Sequence, residues 1–337
     1  MCICNNEYEE SRVTFEDTIL VGFEVRNPDG KVEHVLGYYN KVRTRPAAPG
    51  SNDLGWNVRP SDGSGDFGWH IAPPARKPGN AMLIAVPAKK GTLDKDSLIP
   101  VGEFPQFMED YKRAVVPPPP MSRSRAISFA AGGDDDEPVV VKGFDGGTYD
   151  VVISKSAAAI MSVLDKVDEE KRPQSNVPLW TKLDLIYPNF TFLLFCFAEQ
   201  DAQQAGCALV KYEPIPGLEH LLFLPALDGH NGDIETGEVE LNHTLVVGSY
   251  DMTTATGKVG NRVRFSDEAL RTGTLPYYLL DRVIGKVIEP GTRAPQGDFL
   301  FSLRDVRAGK LRAQRALPPG WENVYPGSAP ARCIIED

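Results

Sequence analysis

The alternation of apolar and polar positions predicts a chain built mostly of strands. Thr18 to Val25 and Glu33 to Val42 are rich in β-branched and aromatic residues. Between them Asn27-Pro28-Asp29-Gly30 supplies the residues of a tight turn, so the pair reads as a β-hairpin. Ala81 to Pro87 is a short apolar strand, and Val139 to Val141 with Tyr149 to Ile153 flank the turn-forming Gly143 to Gly147 as a second hairpin. The most apolar run, FTFLLFCFA from Phe190 to Ala198, is expected to pair with Cys207 to Glu213. Leu218 to Leu227 and Val239 to Val247 would extend the same central sheet. Pro225 has no N–H for a ladder, so its strand should end or bulge there. Alternation from Val239 to Val247 puts Leu241, His243 and Leu245 on one face, which turns His243 toward the apolar side. Strand-like runs recur at Val283 to Ile288 and Phe299 to Val306.

Helical spacing is rarer. Over Glu103 to Val115 it places Phe104, Phe107, Met108, Tyr111 and Val115 on one face, with Pro105 suited to the first turn. Ser154 or Ser156 can cap a second helix reaching Arg172, with Ile160, Met161, Leu164 and Val167 inward and Pro173 ending it. The predicted fold class is therefore α+β. It is β-rich, with largely antiparallel sheets, a few packed amphipathic helices and long Pro- and Gly-rich insertions.

Two stretches lack either period. Residues 45 to 79 are an insertion of Pro, Gly, Ser and Asp whose anchors are Trp56 and Trp69, and it serves either as a surface loop docked on the body or as a lid. Residues 116 to 138 run through Pro117 to Pro120, Ser122 to Arg125 and Asp134 to Glu137. These biased blocks offer no core-forming face and read as a flexible linker. The proline run and Arg125-x-x-Ser128 have the form of a partner ligand and a phosphorylation site, forms short enough to arise by chance. The linker divides the chain into an N-terminal hairpin and helix domain (1 to 115), a β-rich domain (139 to 317) and an irregular tail (318 to 337).

Charge narrows the partners. A formal net charge of -10 disfavours a nucleic-acid backbone or an anionic membrane, so neither is expected. The local basic patch of Arg304, Arg307, Lys310, Arg312 and Arg315 is expected to pair with the acidic body. Five cysteines, at 2, 4, 196, 207 and 333, fit reduced thiols rather than a disulfide framework. The start MCICNNEYEE has neither the basic nor the apolar region of a secretion signal. The expected location is cytoplasmic.

Candidate chemistry gathers at Asp228-Gly229-His230-Asn231-Gly232-Asp233. Asp228, His230, Asp233 and His243 could give two carboxylates and two imidazoles to a divalent transition metal. The spacing is neither HExxH nor an EF-hand loop. In the structural alternative Asp228 caps the turn, His230 bonds the backbone and His243 is a satisfied core histidine. Cys2, with Met1 removed, could act as an N-terminal nucleophile; otherwise it is an ordinary surface or buried thiol. No P-loop, GxGxxG, GxSxG or paired CxxC motif is present.

Three segments together resemble an uncharacterised family of bacterial proteins. They are the Met1-Cys2 start with its hairpin, the Asn80 to Pro87 strand with a helix beyond it, and Leu224 to Gly232 followed by His243. The resemblance covers about residues 1 to 250 outside the two insertions and implies a shared fold without an assigned activity. Members of that family often carry His-x-His-Asp-Gly where this chain has Asp228 to Gly232, so a two-histidine metal pair does not carry over. Two function classes follow. The first is an intracellular binding or structural protein with a protein partner or self-assembly, and it is favoured because long surface insertions suit contact with other chains. The second is a hydrolase-type enzyme, dependent on a metal at Asp228, His230, Asp233 and His243 or on Cys2.

Overall fold

The run FTFLLFCFA forms β6 (Thr191–Phe197), buried at every position. In the computed structural model, β6 lies inside a four-stranded antiparallel sheet between β3 (Asn80–Val86) and β5 (Tyr149–Ser154), with β4 (Val139–Phe144) at one edge. The structure describes residues 13–44, 79–116 except 103 and 105, 137–202, 206–229, 233–254 except 235, 257–267, 270, 275–326 and 333–336. Cys2, residues 45–78, most of the expected linker and His230 lie outside the described residues.

A second sheet has six strands in the order β13 (Asn261–Arg262), β14 (Arg282–Val287), β10 (His243–Ser249), β1 (Val13–Arg26), β2 (Val32–Thr44) and β7 (Cys207–Tyr212). Its pairings are antiparallel except β1 with β10. The third sheet orders β18 (Cys333–Glu336), β17 (Arg312–Ala316), β16 (Asp298–Ser302) and β8 (Leu221–Leu224). Two ribbons pair β9 (Glu238–Leu241) with β15 (Thr292–Pro295) and β11 (Thr253–Thr254) with β12 (Gly257–Lys258). The protein is thus β-rich with mostly antiparallel sheets and few helices.

Alternation within each strand decides where its side chains go. Leu193, Phe195 and Phe197 of β6 meet Leu20 and Leu36 of the six-stranded sheet and Leu222, Phe299 and Phe301 of the third sheet in a central core. Gly22 of β1 marks the contact between sheets, since a Cβ there would lie 2.8 Å from Leu224 Cδ2. On the far side of β6, Phe192, Leu194 and Cys196 are covered by a 3₁₀ helix, Ala158–Lys166, and by an α-helix, Val177–Ile186. On the far side of the six-stranded sheet, Val21, Phe23 and Val35 lie under α1 (Phe107–Val115), through Phe107, Met108 and Tyr111. The Val177–Ile186 helix is α2, and α3 (Leu303–Arg307) joins β16 to β17.

Several expectations are corrected. The strands from 190 to 247 do not form one sheet: β6 joins β3 and β5, β7 joins β2, and β8 joins β16. An apolar run with both faces buried marks a strand, but nothing in it names the partner. The stretch Val239 to Val247 breaks at Asn242 into β9 and β10, which pair with different neighbours. The helix expected from Ser154 to Arg172 is a 3₁₀ segment. With three residues per turn, Ile160 and Val163 align inward and Met161 is left 39% exposed. The tail is ordered where Trp321 is buried in the outer core and where β18 pairs with β17. Strands from both sides of the expected linker share hydrogen-bonded ladders, β1 with β10, β2 with β7 and β3 with β6, so that boundary separates sequence but not sheets.

Candidate functional site

β8 ends at Leu224, directly before Pro225, and the chain then enters the segment that carries Asp228. Buried polar groups from the neighbouring strands moor this segment. Asp298, at the start of β16, accepts the amide N–H groups of Ala226 and Leu227 at 2.8 and 3.1 Å on one carboxylate oxygen. Its other oxygen accepts the Tyr187 hydroxyl at 2.7 Å. Burial pushes the Asp298 carboxyl up, against the pull of these donors. Gln296 holds Asp228 twice, accepting its N–H at 2.9 Å and donating to its carbonyl at 3.1 Å. Beneath them Arg315, fully buried, stacks on the Phe299 ring at 4.8 Å and donates to the Pro295 carbonyl. Arg315 therefore belongs to the core rather than to a surface basic patch, and Arg307 of the same expected patch pairs with Glu24.

The residues named from sequence scatter around this mooring. Asp228 is half-buried and tied through its backbone. Asp233 points outward to the Lys182 ammonium at 2.5 Å. His243 opens β10 with its ring edge-on to Phe299, centroids 6.3 Å apart, on the apolar side as alternation requires. Among the described residues no three His, Cys, Asp or Glu side chains converge as a metal site needs. The described thiols Cys196 and Cys207 are both free. Burial raises both, which keeps them protonated and unsuited to attack.

The element that sequence reasoning missed lies alongside. Asn176 caps α2 by accepting the Leu179 N–H, and Pro178 sits in the first turn where its missing N–H costs nothing. These two residues were the available signal. The far end of α2 is closed by the tail: Gly320 N–H donates to the Ile186 carbonyl and Asn323 Nδ2 to the Leu185 carbonyl. Only a glycine fits at 320, because a Cβ would stand 1.9 Å from the Leu185 oxygen. Tyr325, stacked on Trp321, donates its hydroxyl to the Ile234 carbonyl, so α2, the tail and the Asp228 segment form one continuous edge.

The inner face of α2 buries Leu179, Trp180, Leu183 and Ile186. Its outer face is apolar too, with Val177 46% and Leu185 45% exposed on either side of Thr181. Among residues 174 to 189, all of them described, no exposed position carries a charge. Lys182 and Asp184 are both half-buried, and each is tied to a neighbouring segment. Lys182 pairs with Asp233; burial lowers this ammonium, yet Asp233 and Tyr325 together outweigh that and leave it raised. Asp184 caps the start of the 3₁₀ helix by accepting from the Ser156 hydroxyl and the Ala157 and Ala158 N–H groups.

No family model and no curated protein matches this chain, so the resemblance read from the sequence gains no support there. Among solved structures, the crystal structure of baculovirus P35 is similar at 12% identity over 73% of this chain and 67% of that one, with a TM-score of 0.35. A mutated baculovirus P35 after caspase cleavage is similar at 11% identity over 86% of this chain and 91% of that one, with a TM-score of 0.32. Likeness at this level assigns neither fold nor activity. No helix among the described residues is long and apolar enough to cross a membrane.

Proposed function

We propose that this chain is a binding or structural protein that docks another protein against the outer face of α2. One observation carries the reading: the exposed positions of α2 are uncharged, in a chain that is 24% charged, and present Val177 and Leu185, while Lys182 is paired with Asp233 and Asp184 caps the neighbouring 3₁₀ helix. A surface helix normally confines its apolar residues to the buried stripe. One that also exposes two large apolar residues, with no exposed charge between them, is built to be covered. The buried centre of a protein interface is likewise depleted in charge. The partner is thus a folded protein with an uncharged, apolar surface, and the Lys182–Asp233 pair forms a polar rim. A cytoplasmic setting fits the free thiols, and the net charge of -10 keeps nucleic acid out of the reading.

A photo-crosslinking residue at Thr181 tests it in the intact protein. The protein captured there, purified, is expected to bind the wild-type chain and to bind Leu185→Asp at least tenfold more weakly. A second copy of the chain is captured if the face self-assembles. Equal binding to wild type and to the Val177→Asp, Leu185→Asp double variant would overturn the reading.

A further inference from the structure

At one end of the six-stranded sheet, four polar side chains stand in a single cross-strand row. β10 sets Ser249 beside Glu24, β1 sets Glu24 opposite His34, and β2 sets His34 opposite Tyr212 of β7. Directly paired residues share a face, so the four neighbour one another, and all are buried. Ser249 Oγ donates to Glu24 Oε2 at 2.6 Å. Arg307, the last residue of α3, donates through Nε to the same oxygen at 3.0 Å and through Nη2 to Oε1. The carboxylate and the guanidinium balance each other as a bidentate pair.

His34 has no such balance. It is 2% exposed, its ring stands edge-on to Tyr212 at 5.6 Å, and it donates a hydrogen bond to the Glu219 main-chain carbonyl. Its Nδ1 is buried and has no hydrogen-bond partner. That nitrogen is the only place a further proton can go, and adding it would leave a third charge beside a carboxylate already held by Arg307. The charged and titratable groups facing the ring are Glu24 from β1, Arg307 from α3, Tyr212 from β7 and Glu219 from the turn after β7.

We propose that this row is an acid-sensitive clasp. At neutral pH the Glu24–Arg307 pair, beside an uncharged His34, holds α3 to the six-stranded sheet; acidification opens it by driving a proton onto His34. The consequence is local because α3 is short and links two strands of the third sheet, with Leu303 and Val306 tucked into the central core. Opening frees that link and uncovers both side chains, while the other two sheets keep their ladders.

Burial, opposed in part by Glu24, lowers His34 from 6.5 to about 4. In the open form the ring regains its ordinary affinity and takes up the proton first. The closed form is therefore fully favoured above 6.5 and loses ground as the pH falls toward about 4. Between these limits the open-to-closed ratio rises about tenfold per pH unit.

Hydrogen exchange of the intact chain, corrected for the intrinsic pH dependence of exchange, reads this directly. Below pH 6.5, protection of the α3 amides is expected to fall about tenfold per pH unit while that of β6 and α2 holds. His34→Gln, neutral at every pH and still a donor, is expected to remove that slope and keep α3 protected at pH 7. Arg307→Met is expected to lose α3 protection already at pH 7. An α3 profile identical in wild type and His34→Gln, or simultaneous loss of protection in α3 and β6, overturns the clasp. If His34→Gln does not fold, the His34 ring resonance of the wild type decides: titration near 6.5 without loss of α3 protection sinks the proposal.

Discussion

At the scale of single residues, the polar groups of this core matter through the donors they satisfy. Asp298 takes two backbone N–H groups and the Tyr187 hydroxyl out of solvent with it. Asp298→Ala strands all three, each worth about 1 to 3 kcal/mol when buried without a partner, so a loss of about 3 kcal/mol or more is expected in urea unfolding. Asp298→Asn keeps an oxygen for Ala226 and Leu227 and offers an amide N–H that the Tyr187 oxygen can accept. It should cost less than half as much. Equal losses would mean that charge, not hydrogen bonding, holds the Asp228 segment. The sequence makes Asp298 look like an ordinary turn acid, since the Ala226 and Leu227 amides it serves lie some seventy positions away.

At the scale of elements, β6 and α2 show how far pattern reading reaches. β6 was legible because its apolar content leaves no face for water, and Leu194 is buried as that pattern requires. Leu194→Ala is expected to cost on the order of 2 to 5 kcal/mol by denaturant unfolding, and a loss under about half a kcal/mol would mean that the outer layer does not cover the strand. The helix α2 was not legible, because with Val177 and Leu185 outside the buried stripe it lacks the contrast by which helices are recognised. Its two faces should respond oppositely. Leu183→Ala is expected to cost about 2 to 5 kcal/mol, whereas Leu185→Asp changes stability by no more than about 0.5 kcal/mol. A large loss for Leu185→Asp in the purified protein would show that the outer face is covered by the chain itself.

At the scale of the whole molecule, strands near the start of the chain complete sheets built by its end. β1 depends on β10, and β2 on β7. Residues 1 to 115 expressed alone are therefore expected to stay unfolded, and the intact chain to lose its far-ultraviolet signal and tryptophan fluorescence in one coincident transition. Two separated transitions, or a folded fragment, would restore a boundary at residues 116 to 138. The six-stranded sheet also contains a parallel pair, β1 with β10, whose registered residues are more than two hundred positions apart. Such contacts have no local signature, since a parallel neighbour can follow any length of intervening chain.

What the sequence determined by itself is local: the hairpin turn at Asn27 to Gly30, the amphipathic α1, the doubly buried β6, the strand end before Pro225 and the apolar side for His243. Each follows from steric preference or side-chain period within a few residues. Tertiary structure alone decided which strands pair, that Arg315 is buried on Phe299 while Arg307 holds Glu24, and that Asp233 turns to Lys182 instead of back toward His243. It alone leaves Val177 and Leu185 of α2 exposed. These outcomes depend on which distant groups arrive to share a low-dielectric space, where an unpaired polar atom is costly and a paired one is stable, and that selection acts only once the sheets have closed.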